Sequence, residues 1–274
     1  RQRQMCIRDR NVLQAVVLVP SRELALQIEQ VFKSMGTGIP VMSCYGGRPA
    51  MDEHRTMKSL NPQVIVGTPG RMNDHLNKGN IDASHVHTLV IDEFDKCLEM
   101  GFQEEMSEVI VQIPYLKRRF LLSATDAPAI PRFVSEGDFL KLNFLEDEEQ
   151  IPERIKVYTV KSPEKDKLEV LSKLLCYLGD KSSLVFVNYR ESVERVYRYL
   201  LQAGISCEMF HGGMEQKDRE RALYKFSNGS CNVFVSTDLA ARGLDIPNID
   251  HVIHYHLPLN EDAYIHRNGR TARW

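Results

Sequence analysis

The sequence predicts an α/β protein of doubly wound parallel sheets, and three observations lead there. Short apolar runs rich in β-branched residues recur at Ala15–Val19, Val64–Val66, Thr88–Ile91, Arg119–Leu122, Ser183–Val187, Val233–Ser236 and His251–His254. Their near-continuous apolarity suits parallel strands covered on both faces, since a strand with one wet face alternates. Between them lie segments of helical period, Glu23–Phe32, Ser192–Leu201 and Glu215–Phe226. Strand followed by helix, repeated, is the pattern of α/β layering.

The elements fall into two groups. Ser21 stands where an N-cap belongs, ahead of the helix that follows the first strand. The pattern breaks near Asn143–Glu153, where Leu145–Gln150 is acidic and Pro152 follows, and it restarts at Ile155. A short charged stretch of this kind reads as an exposed linker. The expected organisation is a first α/β domain over 11–145, a linker over 146–154 and a second α/β domain over 155–274. Residues 1–10 (RQRQMCIRDR) carry four arginines with neither period nor turn chemistry. They resemble translated adapter text and are expected to be non-native or disordered.

Composition narrows the function classes. The 274 residues suffice for two domains, and 43% apolar content allows sizeable cores. Lys+Arg 35 against Asp+Glu 37 gives a net charge of −2, so any nucleic-acid contact must come from local donors rather than a global basic field. Six scattered cysteines without a C-x-x-C pair indicate a reduced, cytoplasmic setting. No apolar stretch approaches the roughly 20 residues of a membrane span.

Several motifs sit where strands end. Val90-Ile91-Asp92-Glu93-Phe94-Asp95 closes an apolar run in carboxylates, at the end of a strand where α/β folds bind ligands. Asp92 is suited to hold Mg²⁺ through water and Glu93 to act as base toward an attacking water, although a solvated strand end carries the same residues. Pro20-Ser21-Arg22 begins a helix whose free N–H groups and arginine favour phosphate; an ordinary capped turn looks alike. Gly46-Gly47 permits close backbone approach or simply makes a turn. Thr68-Pro69-Gly70-Arg71 is a tight turn into a helix, able to clasp a nucleic-acid backbone or serving structure only. Ser123-Ala124-Thr125 places two hydroxyls on the same kind of rim, and His266-Arg267-Asn268-Gly269-Arg270-Thr271-Ala272-Arg273 carries three arginines suited to neutralising phosphate charge.

Taken in order, PSREL, GG, TPGR, DEFD, SAT, then Val185–Asn188, His211-Gly212-Gly213, Gln216–Arg219, STDLAARGLD and HRNGRTAR resemble the DEAD-box family of ATP-dependent RNA helicases, within helicase superfamily 2. The resemblance runs from Val12 to Arg273. It implies two tandem RecA-like domains, ATP and Mg²⁺ as cofactors, and RNA as partner through backbone contacts with little sequence preference. It implies Asp92 and Glu93 as the Mg²⁺/water pair with Asp95 coupling them to the cleft. Ser123 and Thr125 would link hydrolysis to strand separation, Asp245 would contact the ribose, Arg270 and Arg273 the γ-phosphate, and His266 would lie near the hydrolytic site. Pro20, Arg22, Gly46, Gly47, Thr68, Gly70 and Arg71 would line the RNA path on the first domain. Asn188, Arg190, His211, Gly212, Gln216, Arg219 and Thr237 would line or support it on the second. The implied mechanism is domain closure over ATP and RNA, in which an arginine finger contributes roughly 10³–10⁵ in rate.

The sequence also departs from the family. Phe94 stands where the family name has alanine, so a bulky ring must find a pocket. No G-x-x-x-x-G-K-[ST] phosphate loop occurs, and neither the strand feeding it nor the elements completing the second domain are found. The expectation is a first domain truncated at its N-terminus, a second truncated at its C-terminus, and little ATPase activity from these 274 residues alone. The competing readings are a non-catalytic RNA-binding or annealing module, and a DNA helicase or other superfamily 2 motor.

Overall fold

The structure is a computed structural model that describes residues 12–123, 130–134, 139–142, 155–238 and 249–271. The chain divides into two compact units, Arg1–Leu145 and Glu146–Trp274. Residues 1–10 and the stretch 146–154 lie outside the described residues.

The first unit runs β1 (Ala15–Leu18), α1 (Arg22–Ser34), β2 (Val41–Cys44), α2 (Ala50–Leu60), β3 (Val64–Gly67), α3 (Pro69–Asn77), β4 (Thr88–Ile91), α4 (Phe94–Glu99), α5 (Gln103–Val111) and β5 (Arg118–Leu121). Its five strands are parallel, in the order β2-β3-β1-β4-β5. Period-2 alternation divides the apolar side chains between the two faces. Val16, Leu18, Met42, Cys44 and Ile65 pack on one side with Met72, Phe94 and Met106, while Val17, Val19, Val41, Val64 and Val66 pack on the other with Leu24 and Ala25. This is why the runs read as continuously apolar. The Ser21 hydroxyl accepts the Leu24 amide at 3.2 Å and so caps α1. Pro69 opens α3, where a missing N–H costs nothing.

The second unit runs α6 (Leu168–Leu178), β6 (Ser183–Phe186), α7 (Arg190–Gln202), β7 (Cys207–Phe210), α8 (Gln216–Ser227), β8 (Val233–Ser236), β9 (His251–His254) and α9 (Glu261–Asn268). Its parallel sheet has the order β7-β8-β6-β9. Leu168, Val185, Val193 and Val235 share one core, and Phe186, Phe210, Phe226 and Phe234 share the other.

Two differences from the sequence reading have physical causes. The strands at 41–44 and 207–210 are absent from the apolar runs because each carries a polar residue matched to a helix. The Ser43 amide and hydroxyl both donate to Glu29 of α1, and Glu208 pairs with Lys225 of α8. The run at 119–122 begins one residue earlier and is not buried on both faces, with Phe120 and Leu122 each 50% exposed. The cause is its place at the end of the row, where among the described residues it pairs with β4 alone.

Candidate functional site

Parallel strands in register deliver their following turns to one rim. In the first sheet Cys44, Gly67, Leu18, Ile91 and Leu121 end in a single row. Beyond them emerge, in spatial order, Tyr45–Arg48 after β2, Thr68–Arg71 after β3, Pro20–Arg22 after β1, Asp92–Asp95 after β4 and Ser123 after β5. Arginine-bearing turns thus occupy one half of the rim and carboxylates the other.

On the basic half, the Arg22 guanidinium lies against the glycine pair. A Cβ on Gly47 would stand 2.3 Å from Arg22 Nη1, and one on Gly46 would stand 3.4 Å from Nη2. Gly47 has φ +91°, a conformation that favours glycine. Arg71 Nη2 donates to the Arg48 carbonyl at 2.8 Å, and Arg48 in turn sits over the Tyr45 ring at 4.9 Å. Arg71 is only 12% exposed and its other terminal nitrogen lies 3.3 Å from Glu53. Arg22, half-buried, and Arg48, exposed, therefore face solvent more than Arg71 does. Pro20 is buried beneath them, while Gly70 is exposed with no heavy atom near its missing Cβ. A row of guanidiniums on one rim suits phosphate, which takes paired N–H donors.

Beneath this half, Cys44, Glu53 and His75 bring ligand-type atoms within 4.8 Å of one another. The chemistry argues against a cation site. Burial holds the Cys44 thiol well above its ordinary value, so it stays protonated. The Arg71 guanidinium beside Glu53 already supplies the positive charge.

On the acidic half, the backbone is strained. Glu93 has φ 48° and ψ 51°, left-handed for a non-glycine residue. Such residues cost about 1–3 kcal/mol and persist where the surroundings dictate them. Here the Asp92 amide donates to Leu18 O and the Phe94 amide to Leu122 O, each at 2.9 Å, pinning both sides of Glu93. Asp92 Oδ1 accepts the Glu93 amide at 2.9 Å. Burial raises the Asp92 carboxyl above its ordinary value, the Glu93 amide opposes that, and the Asp95 charge adds to it. A desolvated carboxylate beside two others fits a site that a divalent cation completes. The Phe94 ring does find its pocket, at 1% exposure in the core with Ile91, Cys97 and Met106. Ser123 is exposed on the rim, and Thr125 lies outside the described residues.

In the second unit the structure adds a residue the sequence reading passed over. Arg267 is fully buried. Its Nε donates to Asp238 at 2.5 Å, Nη1 to the His256 carbonyl at 2.8 Å and Nη2 to Asn188 Oδ1 at 2.8 Å, with its guanidinium 5.0 Å from the Phe186 ring centre. The Asn188 backbone amide donates to His256 Nδ1 at 3.2 Å, and its side-chain Nδ2 donates to Leu257 O at 3.0 Å, so both ends of its side chain are spent inside the fold. The resemblance gave roles to Arg270 and Arg273 and none to Arg267, and nothing local marks Arg267 as the buried one, because its partners are remote in sequence.

The other expected residues of this unit form smaller sets. His211 is buried, its Nδ1 accepts the Gly213 amide at 3.2 Å, and Arg190 lies against Gly213. Burial holds the His211 ring below its ordinary value. Arg219, buried, donates to Gln216 at 2.7 Å. Gly212 is exposed, and Thr237 follows β8 with its amide directed to Phe210 O. His266 is buried on α9 and Arg270 is half-buried just beyond it. Asp245 and Arg273 lie outside the described residues.

Comparison with known proteins agrees with this layout. Residues 3–132 match the DEAD/DEAH box helicase family and residues 166–274 the helicase conserved C-terminal domain. ATP-dependent RNA helicase CshA of Listeria monocytogenes is 37% identical over 269 residues, covering 96% of this chain and 51% of that protein. The chain thus spans about half the length of the curated relatives it matches. S. cerevisiae Dbp5 bound to RNA and ADP BeF3 is 29% identical with a TM-score of 0.76, over 94% of this chain and 68% of that one. A Dbp5 variant bound to Gle1 and IP6 is 31% identical with a TM-score of 0.72, over 95% and 67% respectively. The two parallel sheets with their flanking helices are the tandem RecA-like domains of these relatives, and the chain belongs to the DEAD/DEAH box helicase family.

Proposed function

We propose that this chain forms the two RecA-like domains of an ATP-dependent RNA helicase, coupling ATP hydrolysis to local unwinding of RNA duplexes. The observation that carries the reading is the first sheet's rim, which sets the Arg22, Gly46-Gly47 and Arg48 turns beside the Asp92-Glu93 turn. Binding to the RNA backbone and handling of nucleotide phosphate then share one rigid scaffold. Asp92 would hold Mg²⁺ through water, and that ion supplies charge neutralisation at the phosphates when bound. Glu93, fixed by its pinned backbone, takes the proton of the attacking water. Asp95 couples the pair to its surroundings. In the second unit Arg270, with Arg273, neutralises the γ-phosphate, Asp245 contacts the ribose, and His266 supports the hydrolytic site. Arg190, His211, Gly212, Gln216, Arg219 and Thr237 serve the RNA path or its support.

Among the described residues no helix is long and apolar enough to cross a membrane. The five cysteines among the described residues are free, as a reduced cytoplasmic setting would have them.

Two measurements test the reading. Anisotropy with labelled single-stranded RNA should show binding that is indifferent to base sequence. With about 5 phosphates neutralised, log K should fall with log salt at a slope near −3.5. In the whole protein, RNA should stimulate ATP turnover, and Glu93→Gln should abolish turnover while leaving RNA affinity within about twofold. Turnover indifferent to RNA, or binding that follows base sequence rather than salt, would overturn it.

A further inference from the structure

Glu53 belongs to none of the motifs, yet three groups of the basic half of the rim converge on its carboxylate. It sits in the first turn of α2, 5% exposed. Oε1 accepts the Tyr45 amide at 3.0 Å. Oε2 meets His75 Nε2 at 2.8 Å and lies 3.3 Å from Arg71 Nη1. His75 is fully buried, and its Nδ1 receives the Asn80 amide at 3.1 Å, which leaves Nε2 to carry the proton given to Glu53. The carboxylate is therefore fixed by β2's last turn and by α3 before it touches the arginine. Arg71 passes that constraint on, because its Nη2 holds the Arg48 carbonyl at 2.8 Å. Tyr45 and Arg48 bracket Gly46-Gly47, the surface on which Arg22 lies.

We infer that Glu53 is a positioning residue for RNA binding: through Arg71 it fixes the Tyr45–Arg48 turn and so aims Arg22 at a backbone phosphate. Arg71 acts here as a strut between Glu53 and the turn rather than as a phosphate ligand. A buried carboxylate in this place carries a specific risk. Removing it leaves a guanidinium and an imidazole N–H buried without their acceptor. The strut then turns outward, and the turn loses the hydrogen bond from Arg71 to the Arg48 carbonyl.

The inference rests on the RNA reading, and the test separates the two. Single-stranded oligo-U binding to the 274-residue chain is measured across a salt series, with folding followed by circular dichroism and thermal melting. Glu53→Ala should weaken binding about ten- to a hundredfold, the span of one charged hydrogen bond. It should also make the salt slope shallower by about 0.7, one phosphate on a single strand. Glu53→Gln keeps the shape and an acceptor for the Tyr45 amide but no charge for Arg71, and should move affinity and slope in the same direction. If Glu53 works through Arg71, the Glu53→Ala/Arg71→Ala pair should bind within about twofold of Arg71→Ala alone. A purely structural role would lower the melting temperature and leave the slope unchanged. Wild-type binding with a folded Glu53→Gln that matches it in affinity and slope overturns the inference and spares the RNA reading. So does an additive double variant. Should Glu53→Ala not fold, Glu53→Gln and Arg71→Ala decide. Failure of the wild-type chain to bind RNA overturns both.

Discussion

Gly47→Ala asks whether the glycine pair exists to seat Arg22. The new methyl would stand 2.3 Å from Arg22 Nη1, a distance no real Cβ tolerates, and the residue would have to keep φ +91°. The backbone penalty is about 1–3 kcal/mol. The clash is relieved by Arg22 itself, since its guanidinium is the free end of a flexible side chain and the glycine's other neighbours are not closer. The variant should therefore fold, melt lower, and lose the charge-assisted phosphate contact. That loss is worth about 1.5–3 kcal/mol, or roughly ten- to a hundredfold in Kd. Gly46→Ala is the control. Its Cβ would make an ordinary 3.4 Å contact with the same side chain at an ordinary φ, and RNA affinity should stay within about twofold. Gly70→Ala, with nothing within 4 Å and a place in α3, should raise stability by about 0.5–1 kcal/mol and leave binding alone. Thermal melts and RNA anisotropy on the three variants suffice. Equal affinities for Gly47→Ala and Gly46→Ala would refute the claim that the turn is shaped around Arg22.

Three further outcomes are expected. Arg267→Ala removes a fully buried guanidinium and strands Asp238, Asn188 Oδ1 and the His256 carbonyl; because Asp238 is 37% exposed, the cost should lie near the low end of a broken buried pair, about 3 kcal/mol, and a denaturant melt showing under about 1 kcal/mol would contradict the clamp. The Asp92 carboxyl is raised by burial, so its folded form holds the proton more tightly than the unfolded chain does. Its favourable contribution is present below the ordinary 3.8 and disappears as pH rises through the folded value, leaving a neutral-pH penalty that Asp92→Asn should relieve as a higher Tm in divalent-free buffer, with Mg²⁺ narrowing the gap; a lower Tm would count against it. His211, His254 and His256 are each held below 6.5, first by burial, so the unfolded chain binds more protons than the folded one and the second unit should lose stability as pH falls below about 6.5; a stability curve flat from pH 7.5 to 5 would show the rings are not linked to folding.

The amino-acid order by itself determined the strand–helix alternation, the cap at Ser21, the proline entry to α3 and the chemistry of each strand-end turn. These are local properties, legible because burial on two faces writes a continuous apolar run and because caps and turns act over three or four residues. It also showed that Phe94 must be housed, although not where. Sheet order, by contrast, rests on crossovers between distant segments. The family resemblance assigned the turns after β1, β2 and β3 to one path, and the tertiary structure supplied their spatial order, β2, β3 and β1 side by side with the Asp92 turn next to them. The same holds for ionic partners. Arg267 has no role in the sequence until Asp238, Asn188 and His256 surround it, and Glu53 reads as a helix-surface acid until Tyr45, Arg71 and His75 converge on it. A buried charge is defined by what neutralises it, and that partner is chosen by the fold rather than by spacing along the chain.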